Sequence, residues 1–139
     1  MSYEEKGQIV YLGATTIGYA VYLVLVLQQL GTTPLLEIDY QPYLIATIVV
    51  AIVASILARI AIEMISPSDT YREDVRDRDI GRFGEYVAGI VLGIGMVVPF
   101  ILALIEADYF WIANAMYLVF VLQAAIGAVI KLIAYRRGF

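Results

Sequence analysis

The chain has 139 residues and contains no cysteine and no histidine. Without cysteine there is no disulfide, no thiolate nucleophile and no cysteine-held metal cluster. Without histidine, His-ligated haem and most zinc and copper sites are excluded, along with the usual side chain for proton transfer near neutral pH. Charge is scarce too: 16% of residues carry one, against about 25% in soluble domains. Acids outnumber bases, the net charge is −4 and no basic cluster opposes it, so nucleic-acid binding is not expected. The apolar runs hold no convergent Ser-Lys pair and no paired aspartates. Neither catalysis nor a cofactor is therefore expected.

What is plentiful is apolar surface. Hydrophobic residues make up 62% of the chain, against about 45–50% in soluble domains. A fold this small cannot hide that much from water, so lipid is the expected solvent. One uncharged run starts at Gly7 and meets no charge until Glu37; the others are Tyr40–Ala58, Tyr86–Ile105 and Tyr109–Ile130. Each reaches the roughly 20 residues that a helix needs to cross the hydrocarbon core. Period-two alternation is absent, and an open sheet cannot satisfy its backbone in lipid. The sequence thus predicts an all-α, integral membrane four-helix bundle in one transmembrane domain over residues 1–139. Its spans fall near 7–29, 43–65, 84–106 and 109–132, with a charged linker near 66–83. The leader MSYEEKG lacks a positive n-region and no A-x-A site follows the first run, so a removable signal peptide is not expected.

Charge placement sets the direction. Glu37 and Asp39 follow the first span and Glu106 and Asp108 follow the third, with no Lys or Arg beside them. Arg72, Arg76, Arg78 and Arg82 lie between the second and third spans, and Lys131, Arg136 and Arg137 close the chain. Positive residues stay in the cytoplasm. The expectation is two in-out-in helical hairpins with both termini and the charged linker cytoplasmic. Span two opens Tyr43-Leu44-Ile45-Ala46-Thr47 and span four opens Phe110-Trp111-Ile112-Ala113-Asn114. That echo fits two hairpins related by an axis along the membrane normal, and chance likeness among apolar residues fits it too.

Polar residues inside the spans are few. Arg59 is the one charge well within an apolar run, with Glu63 four residues on along the same helix face. The pair reads either as a structural snorkel or as a coupling pair on a transport path. Gly89 and Gly93 offer a groove for a neighbouring backbone, and Pro99 should kink the outer part of the third helix. Tyr22 and its neighbours need hydroxyl partners if they sit deep, and Asn114, Gln123 and Ser55 are available from other spans. Lys131, Arg136 and Arg137 are candidates for an anionic lipid headgroup, with Lys131 expected to snorkel.

The remaining polar stretch, TYREDVRDRDIGRFGEY, covers residues 70–86. Thr70 and Glu73 fit a capping box, which predicts a helix start near Tyr71. Asp74 with Arg78, Glu73 with Arg76 and Asp79 with Arg82 are spaced for ion pairs. A metal site is not expected: Gly81 stands where an EF-hand loop needs a ligand oxygen, and the arginines compete for the carboxylates. Glu73, Asp74, Arg76, Asp77, Arg78, Asp79 and Arg82 form the candidate interaction box.

Asp74-Val75-Arg76-Asp77-Arg78-Asp79-Ile80 resembles the Asp-x-Arg-Asp-Arg-x-Ile signature of a family of small four-span bacterial and archaeal membrane proteins of unknown function. The run Phe110–Leu118 and the tail Tyr135–Phe139 are similar to that family's last helix and ending. Val75 stands where the family often has glutamate. The resemblance implies a plasma-membrane protein and carries no activity with it. The expected function is that of a non-enzymatic membrane protein, a homo-oligomer and most simply a dimer, acting through cytoplasmic protein contacts or in regulation. A small oligomeric transporter or channel using Arg59 and Glu63 is the alternative.

Overall fold

A chain in lipid must satisfy its backbone within each crossing segment, and the computed structural model does so with helix. It describes residues 3–67 and 74–137, with no strand among them. Helix α1 is Tyr3–Gln29, α2 Gln41–Ile65, α3 Val75–Gly95, α4 Val97–Leu104 and α5 Tyr109–Arg137; a short 3-10 turn spans Leu35–Glu37. With α3 and α4 taken as one interrupted span, Val75–Leu104, the bundle has four membrane-length apolar helices. The helices outrun the apolar stretches at the end that carries the chain termini. Backbone bonding continues past the last lipid-facing residue as long as nothing stops it.

The third span breaks where its chemistry requires. Pro99 has no N–H, and its ring collides with the carbonyl four residues back, at Gly95. Helix α3 stops at Gly95, Met96 is a turn, and α4 resumes at Val97. At the far end of α4, Ala107 N–H donates to the Leu102 carbonyl (2.9 Å) and Glu106 N–H to that of Ala103 (3.1 Å). This is a Schellman ending, which puts its C′ residue in the left-handed region. Here that residue is Glu106, with φ 54°, where glycine is the unstrained choice. Asp108 then starts α5 by accepting from Phe110 N–H at 2.8 Å.

Helix α5 is the hub. It packs against α1, α3 and α4, while α2 reaches the rest mainly through α1. Eight residues of α5 are buried, from Phe110 to Ala134, whereas α2 buries only Thr47. The large side chains of α2, Val50 and Leu57 among them, face outward, as lipid-facing residues should. Close approaches join the elements. A Cβ on Gly18 would stand 3.0 Å from that of Ala51, one on Gly127 3.0 Å from that of Ala88, and one on Gly95 2.7 Å from Val119 Cγ1. The expected glycine groove is thus placed differently: Gly89 and Gly93 meet nothing within 4 Å. Both are exposed, Gly93 at the edge of a groove that it shares with Ile112 and Met116 of α5.

In the half of the bundle far from the termini, Tyr22, Val26, Ile38, Tyr40, Phe110, Tyr117 and Val121 form the core. Tyr22 is fully buried and its hydroxyl donates to Asn114 Oδ1 at 2.6 Å, one of the three partners that the sequence offered. Tyr117 stacks edge-on against Tyr19 and Tyr22 (5.2 Å each) and lies 3.5 Å from Thr47 Oγ1. Ser55 instead bonds the Ile52 carbonyl. Tyr40 sits edge-on to Phe110, where burial and the Asp108 carboxylate raise its pKa above the usual tyrosine value.

Two outcomes check this packing. Gly127→Leu should cost about 1–3 kcal/mol by overpacking against Ala88, whereas Gly93→Leu leaves the unfolding of the single chain unchanged; denaturant unfolding in mixed micelles compares them. Glu106→Gly should stabilise by about 0.5–1 kcal/mol in the same assay by relieving the left-handed position. A destabilised Glu106→Gly variant would contradict the cap assignment.

Candidate functional site at the terminal end of the bundle

The α1 N-terminus, the α2 C-terminus, the α3 N-terminus and the α5 C-terminus lie at one end of the bundle. Nearly every charged side chain of α1, α2, α3 and α5 gathers there, because the apolar runs leave it nowhere else to go. The charged box and a polar cavity meet at this end.

The box extends the third span as its first turns. Asp74 is extended (φ −89°, ψ 179°) and caps α3: its Oδ1 accepts from Asp77 N–H at 2.7 Å, and Asp77 Oδ2 accepts from Asp74 N–H at 3.3 Å. The two aspartates form a reciprocal capping box. The cap expected at Thr70 and Glu73 lies outside the described residues, and α3 begins at Val75, four residues beyond Tyr71. Arg76 Nη2 donates to the Tyr135 carbonyl at 3.1 Å, tying α3 to the last turn of α5. Ile80 is completely buried and leads the inward stripe Ile80, Gly84, Ala88. Asp74, Arg76, Asp77 and Ile80 therefore brace the chain internally.

Arg78, Asp79 and Arg82 are exposed on the other side of α3. The ion pairs expected from spacing, Asp74 with Arg78 and Asp79 with Arg82, are not among those formed by the described residues. Capping takes the Asp74 carboxylate, and the exposed side chains gain too little in water to hold a pair. Glu73 lies outside the described residues.

Arg59 and Glu63 take different partners. Arg59 Nη2 lies 3.2 Å from Glu4 Oε1, and its Cζ sits 4.1 Å from the centre of the Tyr3 ring. Lys6 Nζ lies 3.3 Å from Glu63 Oε1, with both side chains mostly buried, and also donates to the Ser66 carbonyl. Sequence reasoning missed Glu4 and Lys6. The charges were visible but their pairing was not: α1 and α2 run antiparallel, so order alone sets acid level with acid, and the observed pairs cross, Glu4 reaching Arg59 and Lys6 reaching Glu63.

Lys131 also departs from expectation. It does not snorkel outward, its side chain being only 16% exposed, and its Nζ lies 3.6 Å from Glu85 Oε1. Two glycines make this inward placement of cations feasible. A Cβ on Gly7 would come 2.9 Å from Arg59 Cζ, and one on Gly84 2.4 Å from Lys131 Cγ. Arg59, Lys131, Glu85, Gln8 and Gln123 line a cavity of about 350 Å³, to which all four spans contribute. Gln123, considered a partner for tyrosine, faces this cavity instead. Arg136 and Arg137 are exposed at the end of α5.

No family model, no curated protein and no solved structure matches this chain. The resemblance of the box rests on the residues quoted above.

Removing the cap separates the two faces of the box. Asp74→Ala should cost about 1 kcal/mol, seen as roughly fivefold faster hydrogen exchange at the first amides of α3. Arg78→Ala should leave exchange there within error, since Arg78 takes no part in the brace.

Proposed function

We propose that this chain is a non-enzymatic, multi-pass protein of a bacterial or archaeal plasma membrane, with both termini cytoplasmic. It works through protein contacts made by the outer face of α3, first of all with a second copy of itself. The observation that carries this reading is the continuity of that face. At 100° per residue, Arg82, Tyr86, Gly89 and Gly93 fall on one stripe, opposite Ile80, Gly84 and Ala88. Its membrane part is open at both glycines, the spacing at which two transmembrane backbones approach closely. Its charged part bears both signs, Asp79 beside Arg78 and Arg82, and a two-fold contact requires a surface complementary to itself. Where the stripe leaves the membrane, the same charged residues suit a cytoplasmic protein partner.

The orientation is supported by Arg76, Arg78, Arg82, Lys131, Arg136 and Arg137 sharing one end while Glu37, Asp39, Glu106 and Asp108 lie toward the other. The transport alternative draws less support. Arg59 and Glu63 hold separate partners, and the tyrosine cluster around Tyr117 fills the far half of the bundle.

The cysteine-free sequence makes the test clean. Tyr86→Cys in native membranes should form a disulfide-linked dimer on oxidation, and Ile56→Cys, on the outer side of α2, should not. Adding Gly93→Leu to Tyr86→Cys should abolish the cross-link. Equal cross-linking at positions 56 and 86, or none at 86, would sink the proposal.

A further inference from the structure

We infer that the polar cavity and the apolar cleft that continues from it form one crevice for an anionic membrane lipid. The phosphate would lie between Arg59 and Lys131, and one acyl chain would run between α2 and α5. This site is separate from the outer face of α3.

The head end has the chemistry for a phosphate. Two cations line the cavity against one carboxylate, Glu85. That carboxylate is 76% exposed and is free to turn to water when a stronger anion arrives. Arg59 is held by Glu4 and Tyr3 through its terminal group, while its Nε is buried with no hydrogen-bond partner among the described residues. A buried donor without an acceptor is costly, and a phosphate oxygen is a suitable acceptor. Gly7 and Gly84 let both cations fold inward; any side chain there would have to displace them. The depth is right as well. Each cation lies six residues before the end of its helix, about 9 Å at about 1.5 Å per residue.

The tail end is apolar. A cleft of about 310 Å³ shares Tyr11 and Ala124 with the cavity and is lined further on by Ile48, Ile52, Phe120 and Val121. From Lys131 to Tyr117 the crevice spans fourteen residues of α5, about 21 Å at about 1.5 Å per residue. One leaflet contributes about half of the roughly 30 Å hydrocarbon core, so headgroup and chain fit this length. Tyr117 closes the far end, held near Thr47 and Tyr22. A crevice that is cationic at the headgroup level, apolar beyond it and blind at mid-membrane is shaped to hold a lipid in place.

Native mass spectrometry of the full chain released from dodecyl maltoside tests this, with dioleoylphosphatidylglycerol and dioleoylphosphatidylcholine as probes. One phosphatidylglycerol should be retained per chain, and phosphatidylcholine should not. Arg59→Gln and Lys131→Gln should each weaken retention about tenfold, the scale of one charge-assisted hydrogen bond. Glu85→Gln should strengthen it by removing the competing carboxylate, a gain that damage to the fold does not produce. Ile52→Trp, at an exposed position in the cleft, should weaken it by filling the space for the chain. Arg137→Gln, outside the cavity, should leave it unchanged. Should the cation variants fail to fold, Glu85→Gln and Ile52→Trp decide the matter. Equal retention of both lipids, no response to Glu85→Gln and Ile52→Trp, or an equal loss in Arg137→Gln overturns the inference. So does displacement of the lipid by an equal concentration of inorganic phosphate, which would mark the cavity as a site for a free anion.

Discussion

In lipid an apolar side chain gains little by exchanging an acyl chain for a neighbouring helix. Two helices join where their backbones come close enough to pack, or where a polar pair bridges them. Here the close approach of α3 to α5, at Gly84, Ala88 and Gly127, meets that constraint over the length of the third span. It brings the α3 cap within reach of Tyr135, so that Arg76 can bind the last turn of α5. It also leaves room beneath Gly84 for Lys131, which would otherwise have to turn outward. With α5 held on one side by α3 and on the other by α1, the hub is complete and α2 can remain largely lipid-facing.

The charged end follows from the same economy of space. Arg59, Lys6 and Lys131 each fold inward and each meets a carboxylate from another helix, Glu4, Glu63 and Glu85 respectively. Lys6–Glu63 is shielded from water on both sides, Arg59–Glu4 is partly exposed on both, and the third pair shields Lys131 while leaving its carboxylate largely exposed. Paired charges with unequal burial do not contribute equally: the enclosed Lys6–Glu63 pair locks α1 to α2, while Lys131 retains the freedom to exchange its partner. The box divides in the same manner. One side of α3 is committed to capping and packing, and the other displays Arg78, Asp79 and Arg82 to whatever lies beyond the chain.

Much of this was open to a reading of residues. Span positions follow from the length of uncharged runs, and the break before Pro99 from the missing N–H. The Tyr22–Asn114 bond follows from the need of a buried hydroxyl for a partner, a requirement that left few choices. Other features were not legible because they depend on helix rotation. Gly89 and Gly93 have the spacing of a packing motif, yet Gly84, Gly95 and Gly127 do the packing. Spacing tells which residues share a face and not which way that face turns. Arg59 was equally ambiguous: Glu63 on its own helix and Glu4 on the next offered the same charge, and the rotation of α1 against α2 chose Glu4.

Sequence alone therefore determined that this chain crosses a membrane as four helices, because composition and run length act through the solvent and need no knowledge of neighbours. It also determined that charges collect at the two ends of the bundle, the bases at one of them, since the apolar runs exclude them from between. Tertiary structure decided which partner each charge takes, which glycines are covered and which are open, and that Lys131 and Arg59 face one cavity. Those are questions of rotation and register between helices. In lipid they are settled by close packing at a few small residues, whose effect depends on what stands opposite them.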